Sequence, residues 1–325
     1  MKILLTGAAG FIGFHVARRF LERGDTVLGL DNLNDYYSVD LKEARLSALA
    51  AFDRFSFTKT DLADPAALAG ATAAADGFDV IVHLAAQAGV RYSLENPHTY
   101  VRSNVAGQVS IFELSAALPN KPPVVYASSS SVYGANKKVP FSETDPVGQP
   151  VSVYAATKRA GELLAYAYAQ THGIVSSGLR FFTVYGRYGR PDMAPWLFTD
   201  AILAGQPIAV FNNGEMERDF THISDIVSGV AEATDRIVGK PGQTAPIYNL
   251  GNNTSIPLME FIAAIEQECG RKAIIEFKPK PPGDVLQTFA DITLAQRDLG
   301  YNPTTGIEDG MKDFVDWFRG YNRRS

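Results

Sequence analysis

Tyr154-Ala155-Ala156-Thr157-Lys158 places a phenol four residues before an ammonium, and a run of hydroxyls, Ser128-Ser129-Ser130-Ser131, lies upstream. On a helix, residues four apart share a face. A lysine beside a tyrosine favours the phenolate and is expected to lower the tyrosine pKa toward neutrality, making the phenol usable as a general acid and base. A serine hydroxyl at the same point can donate to the substrate oxygen that the tyrosine protonates or deprotonates. A Tyr-x-x-x-Lys pair alone is common by chance on solvated helices, so its weight depends on what else the chain carries.

The second constellation is Thr6-Gly7-Ala8-Ala9-Gly10-Phe11-Ile12-Gly13, between a short apolar strand and an amphipathic helix. In such a turn Gly7 permits the tight bend, Gly10 lets backbone approach a pyrophosphate, and Gly13 lets helix pack on strand. The helix N-terminus offers free N–H groups and partial positive charge to phosphates. Asp31 closes the next strand 18 residues beyond Gly13, where a carboxylate accepts hydrogen bonds from a ribose diol and repels a 2′-phosphate. Glycines at strand-to-helix turns also serve packing alone. With the strand, helix and acid all in place, the pattern predicts a dinucleotide site that prefers NAD to NADP.

These residues need a scaffold, and the apolar pattern supplies one. Strands are predicted at 2–6, 26–30, 55–57, 80–84, 124–127 and 175–180, with helices at 11–23, 41–51, 65–75, 99–118 and 153–172. Continuous apolar strands alternating with helices imply a parallel sheet covered on both faces, an α/β doubly wound arrangement of the Rossmann type. After Arg180 the pattern loosens into loops, a helix at 196–204, a hairpin around Asn212-Asn213-Gly214 and scattered short elements. Residues 247–250 read as a strand that returns to the main sheet. The expected division is therefore 1–180 with roughly 222–251 as a dinucleotide-binding domain, and 181–221 with 252–325 as a smaller α/β substrate domain.

The 325 residues are 46% hydrophobic and 20% charged, with a formal net charge of −5. That balance argues against a nucleic-acid groove, which needs a basic surface. The single cysteine, Cys269, excludes an intramolecular disulfide and a cysteine-built metal site. His15, His83, His98, His172 and His222 show no metal-ligand spacing, and His83 reads as a core residue; no metal is expected. Neither a secretory leader nor an apolar run of about 18 residues is evident. The expectation is a cytoplasmic protein with no membrane partner.

With these motifs in hand, the chain resembles the extended short-chain dehydrogenase/reductase superfamily over essentially its whole length. Within it, the resemblance is to NAD-dependent nucleotide-sugar epimerases, and among these to the UDP-glucuronate 4-epimerase group. That finer match is carried by Asp31-Asn32-Leu33-Asn34-Asp35-Tyr36-Tyr37, 86–93 (AQAGVRYS), 180–186 (RFFTVYG), Gly189-Arg190-Pro191-Asp192-Met193 and Arg218-Asp219-Phe220-Thr221. The resemblance implies NAD held by Gly7, Gly10, Phe11, Ile12, Gly13, Asp31, Asn32, Asn34, Lys42, Asp61, Leu62, Leu84, Ala85, Ala86, Asn104, Tyr154 and Lys158. It implies Ser129, Tyr154 and Lys158 as the catalytic triad, a UDP-sugar as substrate, and a homodimer formed through the helices at 99–118 and 153–172.

The serine run separates related activities. The resembling 4,6-dehydratases carry an Asp-Glu pair after the triad hydroxyl and the resembling decarboxylases a glutamate, where this chain has Ser130 and Ser131. Those hydroxyls, with Thr183, suit a sugar carboxylate. Arg190 and Arg218 are candidates for the diphosphate, Phe211 for stacking on uracil, and Asp284 for the ribose, although Pro281 stands where the neutral-sugar epimerases have an arginine. The alternatives are a 4-epimerase of neutral UDP-hexoses, a decarboxylase, a net dehydrogenase, and a non-catalytic NAD-binding regulator.

Overall fold

The computed structural model describes residues 1–239, 246–279 and 286–322. The chain opens with β1 (Lys2–Thr6), α1 (Phe11–Glu22), β2 (Thr26–Asp31), α2 (Val39–Leu49), β3 (Phe55–Lys59), α3 (Pro65–Thr72) and β4 (Val80–His83). Next come two one-turn helices, α4 (Tyr92–Glu95) and α5 (Pro97–Tyr100), a π-helical segment Val101–Ala106, and α6 (Gly107–Ala117). Then β5 (Val124–Ser129), α7 (Val153–His172) and β6 (Ser176–Phe181) complete the alternating part. Sequence chemistry sets these ends: Asp64 caps α3 ahead of Pro65, Ser152 caps α7, and Gly173 ends α7 in the left-handed region at φ 68°.

The second part holds β7 (Thr183–Tyr185), α8 (Ala194–Ala204), β8 (Pro207–Phe211), β9 (Glu217–Arg218), β10 (Phe220–His222), α9 (Ile223–Gly239) and β11 (Tyr248–Leu250). β12 (Ile256–Pro257), α10 (Leu258–Cys269), β13 (Ile274–Lys278), α11 (Thr293–Leu299) and α12 (Ile307–Asn322) follow.

Seven strands form one sheet in the order β11-β6-β5-β4-β1-β2-β3, every pair parallel. The order reverses between β1 and β4, so the chain leaves these neighbours in opposite directions and a crevice opens at their carboxyl ends. Register places Thr6 beside His83, so Gly7 and Leu84 leave the sheet side by side. Alternation along β1 splits the core: Ile3 and Leu5 pack with α1 and α9, while Leu4 packs with Leu68, Ile111, Phe112 and Ala165 on the other face. A separate core joins α8, β8, α10 and α12, where Phe220 and Phe261 stack with centroids 4.1 Å apart.

β11 pairs with β6 as expected for the returning strand. Two local expectations are corrected. The segment 99–118 is not one α-helix, because the π-helical turn interrupts it and rotates Asn104 toward Gln87 and Thr157. Nor is there a hairpin at Asn212-Asn213-Gly214: all three have positive φ and the chain does turn, but β8 takes β13 as its partner and β9 takes β12.

Phe20 is fully buried between α1 and the sheet. Phe20→Ala is expected to lower unfolding free energy by about 3–5 kcal/mol in urea denaturation, whereas Leu197→Ala on the exposed face of α8 should change it by less than about 0.5 kcal/mol.

Candidate active site

A cavity of about 380 Å³ occupies the crevice. Its floor is the glycine turn, whose residues are dictated by close approach. A Cβ on Gly7 would lie 2.7 Å from the Ala85 backbone nitrogen, and one on Gly13 only 2.0 Å from the Gly7 carbonyl oxygen. Gly7 also sits at φ 76°. Gly7, Gly10, Phe11, Ile12 and Gly13 line one side, and Leu84, Ala85 and Ala86 from the end of β4 line the other. Asp31, Asn32, Asn34 and Lys42 close one end, with Asp61 and Leu62 beside them. Asp31 Oδ1 accepts only the Leu33 N–H, at 2.8 Å, among the described hydrogen bonds, so its other oxygen is available to a diol. The Lys42 ammonium donates to the Asn34 carbonyl and side-chain oxygens at 2.6 and 2.9 Å. Asp61 pairs with Arg102 at 2.8 Å. A glycine-floored slot at a helix N-terminus, with a carboxylate at the ribose position, fits a dinucleotide.

At the middle of the cavity α7 delivers Tyr154 and Lys158, and β5 delivers Ser129. The Ser129 hydroxyl lies on the Tyr154 side of the cavity and accepts from the Ser131 N–H at 3.2 Å. The Lys158 ammonium donates to the Ala127 carbonyl at 2.9 Å. The expected lowering of the tyrosine pKa is not seen in this arrangement. Burial raises the Tyr154 phenol above its ordinary value, and the opposing pull of the Ser129 hydroxyl and the Arg190 charge is smaller. Burial also pulls Lys158 down to about 8. Desolvation disfavours both ionised forms, and it is the largest influence on each.

Below the triad lies a buried carboxylate that sequence reasoning missed. Glu162, two turns beyond Tyr154 on α7, accepts the Ser128 hydroxyl at 2.7 Å and both sides of the Arg180 guanidinium at 2.8 and 2.9 Å. Burial alone would raise the Glu162 pKa, but Arg180 holds it below the ordinary value. Arg180 also bonds the Tyr133 hydroxyl, which donates to Asn249 of β11. The signal was present: Tyr154, Lys158 and Glu162 fall on one helical stripe.

Ser130, Ser131, Thr183 and Arg190 line the same cavity as the triad, together with Tyr36, Gln87 and Met193, which had no predicted role. Arg190 binds Asp192 through Nε at 2.9 Å, and the Tyr36 hydroxyl donates to that carboxylate at 3.0 Å. Burial opposes the Arg190 charge, but Asp192 more than offsets it and raises the guanidinium above its usual value.

Three of the predicted residues do not line the cavity. Asn104 is buried and acts as a strut, exchanging hydrogen bonds with the Gln87 backbone and donating to Thr157. Phe211 ends β8 with the Arg91 guanidinium over its ring at 4.7 Å. Arg218 donates to the Glu217 and Leu286 carbonyls at 2.9 and 3.1 Å. Asp284 lies outside the described residues. His83 is a satisfied core histidine, 2.8 Å from the Thr6 hydroxyl. Among the described residues there is no group of three or more His, Cys, Asp or Glu that could hold a metal, and no helix is long and apolar enough to cross a membrane.

A doubly wound sheet with a dinucleotide slot and a Ser-Tyr-Lys centre at its carboxyl edge defines an NAD-dependent enzyme acting on a bound alcohol or ketone. The chain belongs to the NAD dependent epimerase/dehydratase family, whose model matches residues 3–251. It is 46% identical to UDP-glucuronate 4-epimerase 4 of Arabidopsis thaliana, over 99% of this chain and 76% of that protein. Its structure is similar to that of UDP-glucuronic acid 4-epimerase from Bacillus cereus in complex with UDP-glucuronic acid and NAD. The TM-score is 0.90 and the identity 32%, covering 99% of this chain and all of the other. It is also similar to UDP-glucose 4-epimerase from Thermotoga maritima, with a TM-score of 0.88 and 27% identity over 99% of this chain and 100% of that one.

Glu162→Gln leaves Arg180 with a neutral partner in the core. It is expected to cost about 3–5 kcal/mol of stability by chemical denaturation. In the folded fraction kcat should fall, because the amide keeps only one acceptor oxygen for Ser128 and both sides of Arg180, and the strand end that carries Ser129 loses its fixed spacing.

Proposed function

We propose that the protein is a UDP-glucuronate 4-epimerase, interconverting UDP-glucuronate and UDP-galacturonate with NAD retained through the cycle. The observation that carries this reading is the composition of the cavity beside the triad: Ser130, Ser131 and Thr183 bring hydroxyls to it, and no carboxylate follows Ser129. Hydroxyls can donate to a sugar carboxylate but cannot serve as strong bases, which disfavours elimination of water. The similarity to the Arabidopsis and Bacillus enzymes supports the same substrate.

Bound NAD supplies a hydride acceptor and donor for the sugar C4. Tyr154 removes the C4 hydroxyl proton and later returns it, and the Ser129 hydroxyl donates a hydrogen bond to that oxygen. Lys158 supplies positive charge to the phenolate. Inversion requires the 4-keto sugar to present its other face, so the chain must anchor the nucleotide while letting the sugar turn. Arg190, which lines the cavity, is assigned to the diphosphate.

A 4-keto uronate is a β-keto acid, and it loses CO₂ when the carboxylate bond lies parallel to the carbonyl π system. Donors preorganised at Ser130, Ser131 and Thr183 hold the carboxylate out of that alignment. The outward apolar residues Leu163 and Tyr166 of α7, with Leu94 and Val101 nearby in the chain's helical layer, support a homodimer through this face. The reading places the protein in the cytoplasm.

The test is incubation of purified protein with UDP-glucuronate and no added cofactor, followed by NMR. UDP-galacturonate is the expected product. Conversion of UDP-glucose alone, or release of UDP-xylose, would contradict the reading. Thr183→Val is expected to raise KM for UDP-glucuronate about tenfold, the loss of one charge-assisted hydrogen bond, and to release CO₂ detectable as UDP-pentose. Parent-like KM with no pentose would remove Thr183 from the carboxylate site.

A further inference from the structure

Arg45 is a fully buried charge with no role in the chemistry above. It projects from α2, is 0% exposed, and spends its guanidinium on three segments far apart in sequence. Nη1 donates to the Ala9 carbonyl at 2.8 Å and to the Tyr37 hydroxyl at 2.7 Å, while Nη2 donates to the Tyr188 carbonyl at 2.6 Å. Ala9 is the residue of the glycine turn immediately before Gly10. Tyr37 belongs to the loop after β2 and, with Tyr36, lines the cavity. Tyr188 lies two residues before Arg190.

The strap 186–193 needs such a hold. Tyr188 sits at φ 56°, a region that residues with a side chain rarely adopt. Its carbonyl is held by Arg45 from α2, and the preceding carbonyl, Arg187, is 2.8 Å from His15 Nε2 on α1. The Tyr188 ring packs on Phe14 of α1 at 4.8 Å and on Trp317 of α12 at 4.9 Å. The strap that carries Arg190 is therefore fastened to α1, which begins at the glycine turn, and to α2, whose Arg45 also holds the turn's Ala9 carbonyl. Ala9 does not line the cavity, whereas Gly7 and Gly10 do. Engagement of its carbonyl by Arg45 fixes the backbone immediately before Gly10, at the start of α1.

We propose that Arg45 is a positioning residue that ties the dinucleotide turn to the substrate strap, so that NAD and the nucleotide sugar strengthen each other's binding through one guanidinium. The coupling is reciprocal, as any linkage between two binding equilibria must be. Its substrate side rests on the epimerase reading above. A lysine at 45 retains the charge, but its single ammonium cannot span acceptors on three segments.

The experiment measures release of NAD from the purified holoenzyme, with and without saturating UDP, alongside KM for UDP-glucuronate. In the unmodified protein UDP should slow NAD release several-fold. In Arg45→Lys, NAD release should be about tenfold faster, KM about tenfold higher, and the effect of UDP on release lost; kcat with both sites saturated should move least. A change in only one of the two affinities, or in neither, overturns the proposal. So does retention of the UDP effect in the variant. If Arg45→Lys does not fold, the unmodified protein still decides, because NAD release indifferent to UDP shows that no coupling exists. Failure of the unmodified protein to convert UDP-glucuronate would overturn the epimerase reading, while the UDP and NAD-release arms would still judge Arg45.

Discussion

Everything at the centre of this protein depends on the gap between α7 and the carboxyl end of β5 being fixed. Tyr154 comes from the helix and Ser129 from the strand, and both must face the same point of the cavity. The Glu162 carboxylate sets that gap from below. It is buried on α7, accepts the hydroxyl of Ser128, and is clamped by Arg180 of β6. Arg180 in turn reaches Tyr133, and Tyr133 reaches Asn249 of β11. A buried ion pair of this kind contributes little net stability against a well-packed apolar alternative. Its value lies in geometry, since each member loses a partner if the strand end shifts.

The same burial governs the proton chemistry. Tyr154 lies above its ordinary pKa and Lys158 has dropped to about 8. For a lysine lowered in this way the ammonium is present below about pH 8 and is lost as pH rises through that value. The phenolate fraction moves the opposite way. A proton on the phenol and a charge on the lysine are thus both favoured at neutral pH, and among the charges around the phenol it is Arg190 that pulls its pKa down against burial. Charge held in place by a folded, buried site supplies that help without reorganising solvent.

The parts legible in the sequence were those fixed by short-range rules. The glycine turn, Asp31 and the Tyr-Lys helix are each defined within a few dozen residues, and the apolar alternation specified the strands that carry them. What escaped depends on partners distant in the chain. The helix through Asn104 is broken by a π-helical turn because Gln87 and Thr157 claim the asparagine side chain. β8 abandons its sequence neighbour for β13, some 60 residues on, which no turn signal announces. Arg45 falls on a helix with a weak apolar face, where a basic residue reads as solvent-facing. Only the fold shows the three acceptors that bury it. Asp192 and Tyr36 stood inside motifs that were recognised, but their pairing joins loops 156 residues apart.

The central claim is that one buried tyrosine moves a proton at C4 while the hydride leaves and returns to the same carbon. UDP-glucuronate carrying deuterium at C4, turned over in ordinary water, tests it directly. The account predicts UDP-galacturonate with deuterium retained at C4 and none at C5, as read by NMR and mass spectrometry. Loss of deuterium from C4 to solvent, or solvent hydrogen entering at C5, would contradict it.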